Sequence, residues 1–275
     1  SSQQLALPPV RLAYERARFS FGSAAPDWMA PKTKSKAKAK AKATIRPARK
    51  TKPPARKPAS AEDVIRRVTA CKVVPVVKIN ALAEGVPLAR ALKEGGIDVI
   101  EITFRTACAA EAIREVCKSV EGVCVGAGTV LTPAQVDEAL AGGADFIVSP
   151  GFDPAVARRC RARGALYLPG VITPTEVLMV TSGFKLKNLK FFPASNFGGA
   201  GTLKSYAAVF PDVTFMPTGG VTEENIRSFT SMPNVIAAGG SWFVSDDLVK
   251  KAAASNDWSE ICSAAKRAAQ AARGT

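Results

Sequence analysis

The sequence predicts an α/β fold, a (β/α)8 barrel of the TIM type, behind a basic and disordered N-terminal extension. Three observations lead there. From about Ser60 onward, eight short runs rich in β-branched and apolar residues recur. Their centres, Val74, Ile100, Val125, Ile147, Leu168, Phe191, Phe215 and Ile236, are spaced 26, 25, 22, 21, 23, 24 and 21 residues apart. The stretches between them are rich in Ala, Leu, Glu, Lys and Arg at helical spacing. Continuous apolar strands that alternate with helices indicate a parallel sheet covered on its outer face, and eight such units indicate a barrel. A doubly wound open sheet is the alternative, but it ordinarily uses fewer strands for this length. The domain boundaries that follow are 1–60 for the leader and 61–275 for the barrel.

Within the barrel the elements read in order. A helix near Ala61 to Ala70 precedes the first strand and is placed to plug the bottom of the barrel. The strands are assigned to Val73–Ile79, Val99–Phe104, Val123–Val130, Phe146–Ser149, Leu166–Val171, Leu189–Phe192, Val213–Met216 and Val235–Ala238. Leu88, Ala91 and Leu92 mark the helix after the first strand; Val156, Ala157 and Cys160 mark the one after the fourth. Thr132-Pro133, Asp153-Pro154 and Thr173-Pro174 each set a capping side chain before a proline at the first helical position. Glu94-Gly95-Gly96 and Ala141-Gly142-Gly143 have the form of helix ends.

The chain of 275 residues carries a formal charge of +15, and residues 1–60 supply +13 of it, with Glu15 and Asp27 as their only acids. Six lysines stand at alternate positions from Lys32 to Lys42, and Pro47, Pro53, Pro54 and Pro58 interrupt any helix beyond them. Such a run reads as a solvated, disordered tail. The sharper reading is contact with a polyanion, nucleic acid or an anionic membrane, by counterion release; with no aromatic residue interleaved, base stacking is unsupported. A third reading is organellar targeting, which the Lys-Ala alternation fits poorly. Met29-Ala30-Pro31-Lys32 has the form of a start, so whether residues 1–28 belong to the mature protein stays open. No apolar run approaches the roughly 18–20 residues of a membrane helix. The six cysteines form no C-x-x-C pair and read as small buried hydrophobes in a reducing compartment: the cytoplasm, or an organellar stroma or matrix, with plastid and mitochondrion both left open by the leader.

The chain contains no histidine. That excludes a Ser-His-Asp triad, a Cys-His dyad, His-ligated zinc and an imidazole base. In a parallel barrel the chemistry gathers at the carboxyl ends of the strands, so the polar residues there are the candidates. Lys190, inside Leu189-Lys190-Phe191-Phe192-Pro193, is the first of them. Burial disfavours a charged amine, and a neutral amine in a closed pocket attacks carbonyls to form a Schiff base. The structural alternative is a lysine at a strand edge with its ammonium in water; that reading suits Lys185 and Lys187 better, and Lys78 at the end of the first strand is the next candidate nucleophile. Glu101 and Arg105 lie four apart at the end of strand two, either as an ion pair or as a proton shuttle with a carboxylate clamp. Gly219-Gly220 and Gly239-Gly240 follow strands seven and eight, where barrel loops bind phosphate through backbone N–H groups; tight turns are the alternative. Gly126-Ala127-Gly128 lacks the third glycine of a dinucleotide fingerprint.

These segments resemble the 2-keto-3-deoxy-6-phosphogluconate (KDPG) and 4-hydroxy-2-oxoglutarate aldolase family. The resemblance runs from about Val73 to Trp242. It is carried in order by Val73–Val76, Glu101–Thr106, Val125–Val130, Ser149–Gly151, Lys190–Ala194, Pro217–Gly220 and Gly239–Trp242. It implies that Lys190 forms the Schiff base and that Glu101 is the general acid/base. It also implies that Arg105 and Thr129 hold the pyruvate carboxylate, with Pro150 shaping that end, and that Thr218, Gly219, Gly220, Gly240 and Ser241 hold the rest of the substrate and its phosphate. The implied reaction is a class I cleavage to pyruvate and glyceraldehyde 3-phosphate, or of 4-hydroxy-2-oxoglutarate to pyruvate and glyoxylate. The iminium is the electron sink, so neither metal nor cofactor is called for, and a homotrimer is implied. Members of the family carry Pro-Ala-Glu where this chain has Pro193-Ala194-Ser195, which bears on substrate preference. Two other readings remain: an aldolase-fold scaffold subunit anchored by its basic tail, and a phosphate-binding isomerase or epimerase barrel. The latter barrels rely on histidine or metal clusters that are missing here.

Overall fold

Backbone pairing sets the architecture. The computed structural model describes residues 59–275; the expectations for residues 1–58, disorder among them, lie outside the described residues. Helix α1 (Ala61–Cys71) leads into β1 (Val73–Val77), and β2 (Val99–Thr103), β3 (Cys124–Gly128), β4 (Phe146–Val148) and β5 (Leu166–Leu168) follow. Their connections are α2 (Leu82–Glu94), α3 (Ala109–Ser119), α4 (Pro133–Gly142) and α5 (Pro154–Arg163). Strand β6 (Gly170–Val171) continues from β5, then α6 (Pro174–Phe184), β7 (Asn188–Phe191), α7 (Gly199–Val209) and β8 (Thr214–Pro217). The short α8 (Ile226–Thr230), β9 (Ala238–Gly240), α9 (Asp246–Ser255) and α10 (Ser259–Arg273) complete the chain.

Every ladder is parallel. Six strands pair in the order β5-β4-β3-β2-β1-β9 and three in the order β6-β7-β8, so the strands curl into an α/β part-barrel. Single bridges, Phe215 to Val235 and Thr218 to Gly239, link the β8 and β9 segments. The fifth predicted strand divides because Pro169 has no N–H to give to a ladder. Its carbonyl instead accepts from Lys190 N at 2.9 Å, turning the chain from β4 toward β7.

The last strand is displaced from its expected position. The β-branched Val235 and Ile236 predict a strand over Val235–Ala238, yet the ladder is made by Ala238, Gly239 and Gly240 against Val73, Val74 and Pro75. Close approach decides the matter: a Cβ on Gly239 would lie 2.4 Å from Thr218 Oγ1. β-propensity reports side-chain packing, and here the backbone itself is the packed surface.

The helix ends follow the expected chemistry. Thr132, Asp153 and Thr173 accept from the backbone N–H of Gln135, Val156 and Glu176, each with proline in the first turn. Ser60 caps α1 through Asp63 N at 3.1 Å. Helix α1 lies across the amino ends of the strands: Arg67 reaches Asp98 Oδ2 at 2.8 Å, just before β2, and the Gly122 carbonyl before β3. Asp145 ties the same end, accepting from Ala59 N and Val125 N, both at 2.9 Å. The strands' inner faces and the helices' apolar stripes form one continuous core. Phe191, Phe215 and Tyr206 pack edge-on or tilted within it at centroid distances of 5.9–6.4 Å. Among the described residues no cysteine forms a disulfide; Cys71, Cys124 and Cys160 are buried, and burial pushes the Cys160 thiol up to about 12.

Candidate active site

Two buried charges meet inside this core. Glu101 is the middle residue of β2, in register with Val76 on β1 and Gly126 on β3, and is wholly buried. Lys190 is on β7, in register with Gly170 and Met216, and is 5% exposed. Lys190 Nζ donates to Glu101 Oε1 at 3.2 Å across 89 residues of sequence. The ammonium also lies 5.4 Å from the centre of the Phe192 ring. Glu101 Oε2 is buried and has no hydrogen-bond partner among the described residues.

The glycines on β3 make room for this pair. A Cβ on Gly128 would lie 2.1 Å from Glu101 Oε1, so only a residue without a side chain admits the carboxylate. Burying two charges costs several kcal/mol of desolvation each, of order what their attraction returns. An ion pair placed so deep gives the fold little stability, which marks it as a candidate for chemistry.

Around the pair stand the other predicted residues. Arg105, exposed just beyond β2, donates from Nε to Thr129 Oγ1 at 3.4 Å. It makes no pair with Glu101; the structural ion pair considered from their spacing is absent because Glu101 points inward to Lys190. Thr129 follows β3 at φ 55°, a left-handed conformation costly for a β-branched residue, of order 1–3 kcal/mol. Pro150, half-buried after β4, sets its carbonyl against Gly170, where a Cβ would lie 2.0 Å away. Nearby Tyr167 offers no acid or base at neutral pH, since burial pushes its phenol up to about 12.

Beside these residues, at the carboxyl ends of β1, β8 and β9, a cleft of about 400 Å³ is lined by Thr218, Gly219, Gly220, Gly240 and Ser241 together with Arg105. Gly219 and Gly220 are both left-handed, at φ 93° and 74°. Ser195 supports them: its hydroxyl donates to Gly220 O at 2.9 Å, and a Cβ on Gly220 would fall 2.3 Å from that hydroxyl. Thus every residue singled out in the sequence lies at the carboxyl ends of the strands or in the buried pair beneath them. A larger cleft of about 580 Å³, between α2 and α10, holds none of them.

Sequence reasoning missed three residues, Phe192 under the ammonium and Ser245 and Asp246 at the start of α9; it named Lys78, which lines the cleft, only as a second candidate nucleophile. Lys78 is paired to Asp246. The alternation of β1 carried a signal for Lys78, since Val76 and Lys78 share one face.

Comparison with known proteins places this arrangement. The family profile for KDPG and KHG aldolases matches residues 64–264. A 2-dehydro-3-deoxy-phosphogluconate aldolase of Treponema pallidum is 40% identical over 199 residues, covering 72% of this chain and 92% of that protein. The KHG/KDPG aldolase of Escherichia coli K12 is 39% identical over 214 residues, covering 78% and 97%. Among solved structures, the KDPG aldolase of Legionella pneumophila, with pyruvate captured as a covalent carbinolamine, is 37% identical with a TM-score of 0.69, covering 74% of this chain and 96% of that one.

Proposed function

The chain belongs to the KDPG and KHG aldolase family, a family of carbon–carbon lyases, and on that premise we propose the residues through which it works as a class I aldolase. Lys190 is the Schiff-base lysine and Glu101 the acid/base. The substrate is 2-keto-3-deoxy-6-phosphogluconate, cleaved to pyruvate and glyceraldehyde 3-phosphate; 4-hydroxy-2-oxoglutarate, cleaved to pyruvate and glyoxylate, is the second. The observation that carries this reading is the buried Lys190 Nζ at 3.2 Å from Glu101 Oε1, with Oε2 left for a further partner.

The chemistry follows from that contact. Glu101 takes a proton from the ammonium, and the free amine attacks the keto carbon to give a carbinolamine. Glu101 returns the proton to the hydroxyl, which departs as water, leaving an iminium. Removal of the C4 hydroxyl proton turns that oxygen into the aldehyde; the C3–C4 bond breaks and its electron pair passes into the enamine. Protonation at C3 and hydrolysis then release pyruvate and Lys190. Among the described residues Glu101 is the one carboxylate in contact with Lys190, so it supports these transfers through Oε2 and an intervening water. Arg105 and Thr129 clamp the pyruvate carboxylate, a planar anion suited to a guanidinium, with Pro150 bounding that end. Thr218, Gly219, Gly220, Gly240 and Ser241 receive the phosphate.

We infer too that the two sheets are arcs of one (β/α)8 barrel; the β1–β9 ladder, the β8–β9 bridges and the turn of the fifth strand at Pro169 support it. A homotrimer would cover exposed apolar side chains such as Leu131, Leu178, Met179 and Phe197. The basic residues of 1–60 serve as a polyanion contact in a reducing compartment, cytoplasmic or organellar. A scaffold without catalysis has no use for a buried Lys190–Glu101 pair.

Borohydride reduction in the presence of pyruvate, followed by peptide mapping, tests the assignment. The adduct is expected on the peptide bearing Lys190 and is lost in K190M; an adduct on Lys78, or none, overturns it.

A further inference from the structure

The turn after β8 is held from behind, carbonyl by carbonyl. Ala194 N donates to Thr218 O at 2.8 Å, and Ser195 N donates to Gly219 O at 3.0 Å. Gly220 O receives two bonds, one from Ser195 Oγ and one from Asn225 Nδ2, both at 2.9 Å. Asn225 is itself fixed, because its Oδ1 accepts from Thr222 N at 2.9 Å. Thr218, Gly219, Gly220 and Val221 line the cleft, whereas Ala194, Ser195 and Asn225 do not. The carbonyls of the turn are thus drawn toward residues outside the cleft wall.

The N–H groups are treated in the opposite way. Gly220 N and Val221 N donate to no acceptor among the described residues. Gly219 and Gly220 are both left-handed, and successive N–H groups in a turn of that kind form a concave nest for an anion. A carbonyl oxygen rotated into the nest would repel the same anion. Two adjacent glycines are the least restrained backbone a chain can offer, so their orientation has to be imposed from outside. A carbonyl has two lone pairs, and Gly220 O uses both. Ser195 also stands five residues beyond Lys190 on the same segment, so its bond ties the turn to the strand that carries the amine.

We propose that Ser195 and Asn225 are positioning residues that act jointly on the Gly220 carbonyl, so that the N–H groups of the turn face the cleft and meet the substrate's phosphate. The inference rests on the assignment of that cleft to the phosphate and goes beyond it. Neither residue lines the cleft, and neither lies in the segments that carry the family resemblance. The glutamate that family members have at the place of Ser195 is acceptor-only when ionised and cannot make this bond. The doubled contact therefore depends on the serine.

The experiment uses the full chain and compares wild type with S195A, N225A and S195A/N225A. Two constants are measured for each: KM for 2-keto-3-deoxy-6-phosphogluconate, and the pyruvate concentration that half-saturates borohydride trapping on Lys190. Pyruvate has no phosphate, so the ratio of the two constants isolates the phosphate end. Each single variant is expected to raise the ratio about threefold, as loss of one neutral hydrogen bond does. The double variant is expected to raise it about thirtyfold, beyond the roughly ninefold of two independent losses, because both bonds end on one oxygen. The rise should come through KM rather than kcat, and S195T/N225A should return to the N225A value. A double variant no worse than the product of the singles overturns the proposal. So does a parallel rise in both constants, which a merely structural loosening predicts, or a failure of S195T to restore the hydroxyl's effect. Ser195 is exposed, so S195A tests the idea by itself should N225A not fold: an unchanged ratio there overturns it. If wild type traps no pyruvate, the catalytic assignment fails; if it does and the ratio stays fixed, only the positioning pair fails.

Discussion

Gly128 shows how much of the site depends on a side chain that is absent. Its Cα hydrogen faces Glu101, and a methyl group there would meet Oε1 at 2.1 Å, Cδ at 2.7 Å and Cγ at 2.7 Å. The carboxylate cannot retreat without entering packed core. G128A should therefore push Glu101 off Lys190 and reproduce E101Q: kcat down about 10²–10⁴-fold, the range for loss of a positioned acid/base, with circular dichroism unchanged. A G128A enzyme with wild-type kcat would show that the 3.2 Å contact is not what positions the proton transfer. At this scale the sequence was informative about residue types and poor about partners. Lys190 and Glu101 were both singled out, one for a cation in an apolar strand and the other for an acid at a strand end. Their contact spans 89 residues and depends on how β2 and β7 curl toward each other, so spacing alone set Glu101 against Arg105 instead. The pairing of Lys78 with Asp246 was hidden by the same cause, the two being close only because β1 pairs with β9.

Secondary-structure elements were the most legible level, because their signals are local. Thr132, Asp153 and Thr173 announce helix starts by chemistry that acts within four residues. The one large boundary error, at β9, came where a glycine pair forms the strand and the β-branched Val235 lies outside the ladder. Helix α6 supplies a quantitative test. Its capping box joins Thr173 to Glu176, whose Oε2 accepts from Ile172 N and Thr173 N, both at 2.7 Å. Burial pushes this carboxyl up, but the backbone bonds from Thr173 and Ile172 outweigh it and hold Glu176 below its ordinary value of 4.5. A folded-state value lowered in this way contributes stability above the unfolded value, and the contribution disappears as pH falls through the folded one. The equivalent box on α4 uses Gln135 in the same geometry, so E176Q keeps the bonds and removes only the charge. Chemical denaturation should find E176Q less stable by about 0.3–1 kcal/mol at neutral pH, the worth of an acid in a first helical turn. The difference should close as pH falls below 4.5. T173A should cost about 1 kcal/mol at every pH, as loss of an N-cap does. A pH-independent deficit in E176Q would show that the carboxylate's charge contributes nothing.

For the whole molecule, charge separates what the fold explains from what it does not. The alternation of strands and helices in the body was readable because each βα unit repeats the same burial problem at nearly the same length. No such repeat exists in the first 60 residues, which hold +13 of the total +15, so the remaining 61–275 is near neutral at +2. About half of the body's cations are ion-paired, among them Arg67 with Asp98, Arg159 with Asp137, and Lys190 with Glu101. Any strong attraction to a polyanion must then come from residues 1–60. Neutralising phosphates releases condensed counterions, so binding falls linearly in log–log with salt, and a protein making 6–10 phosphate contacts loses roughly 10³–10⁵-fold between 50 and 200 mM. The full chain, titrated with duplex DNA, should show a fall of at least roughly 10³-fold over that range. A chain beginning at Ser60 should show no measurable binding at either salt concentration while keeping the same kcat for the phosphorylated keto acid, because the catalytic pair and its cleft lie within residues 76–246. Retained DNA binding by the shorter chain would place the contact on the body and remove the leader from the account. A fall in kcat on shortening would instead make residues 1–59 part of the catalytic fold.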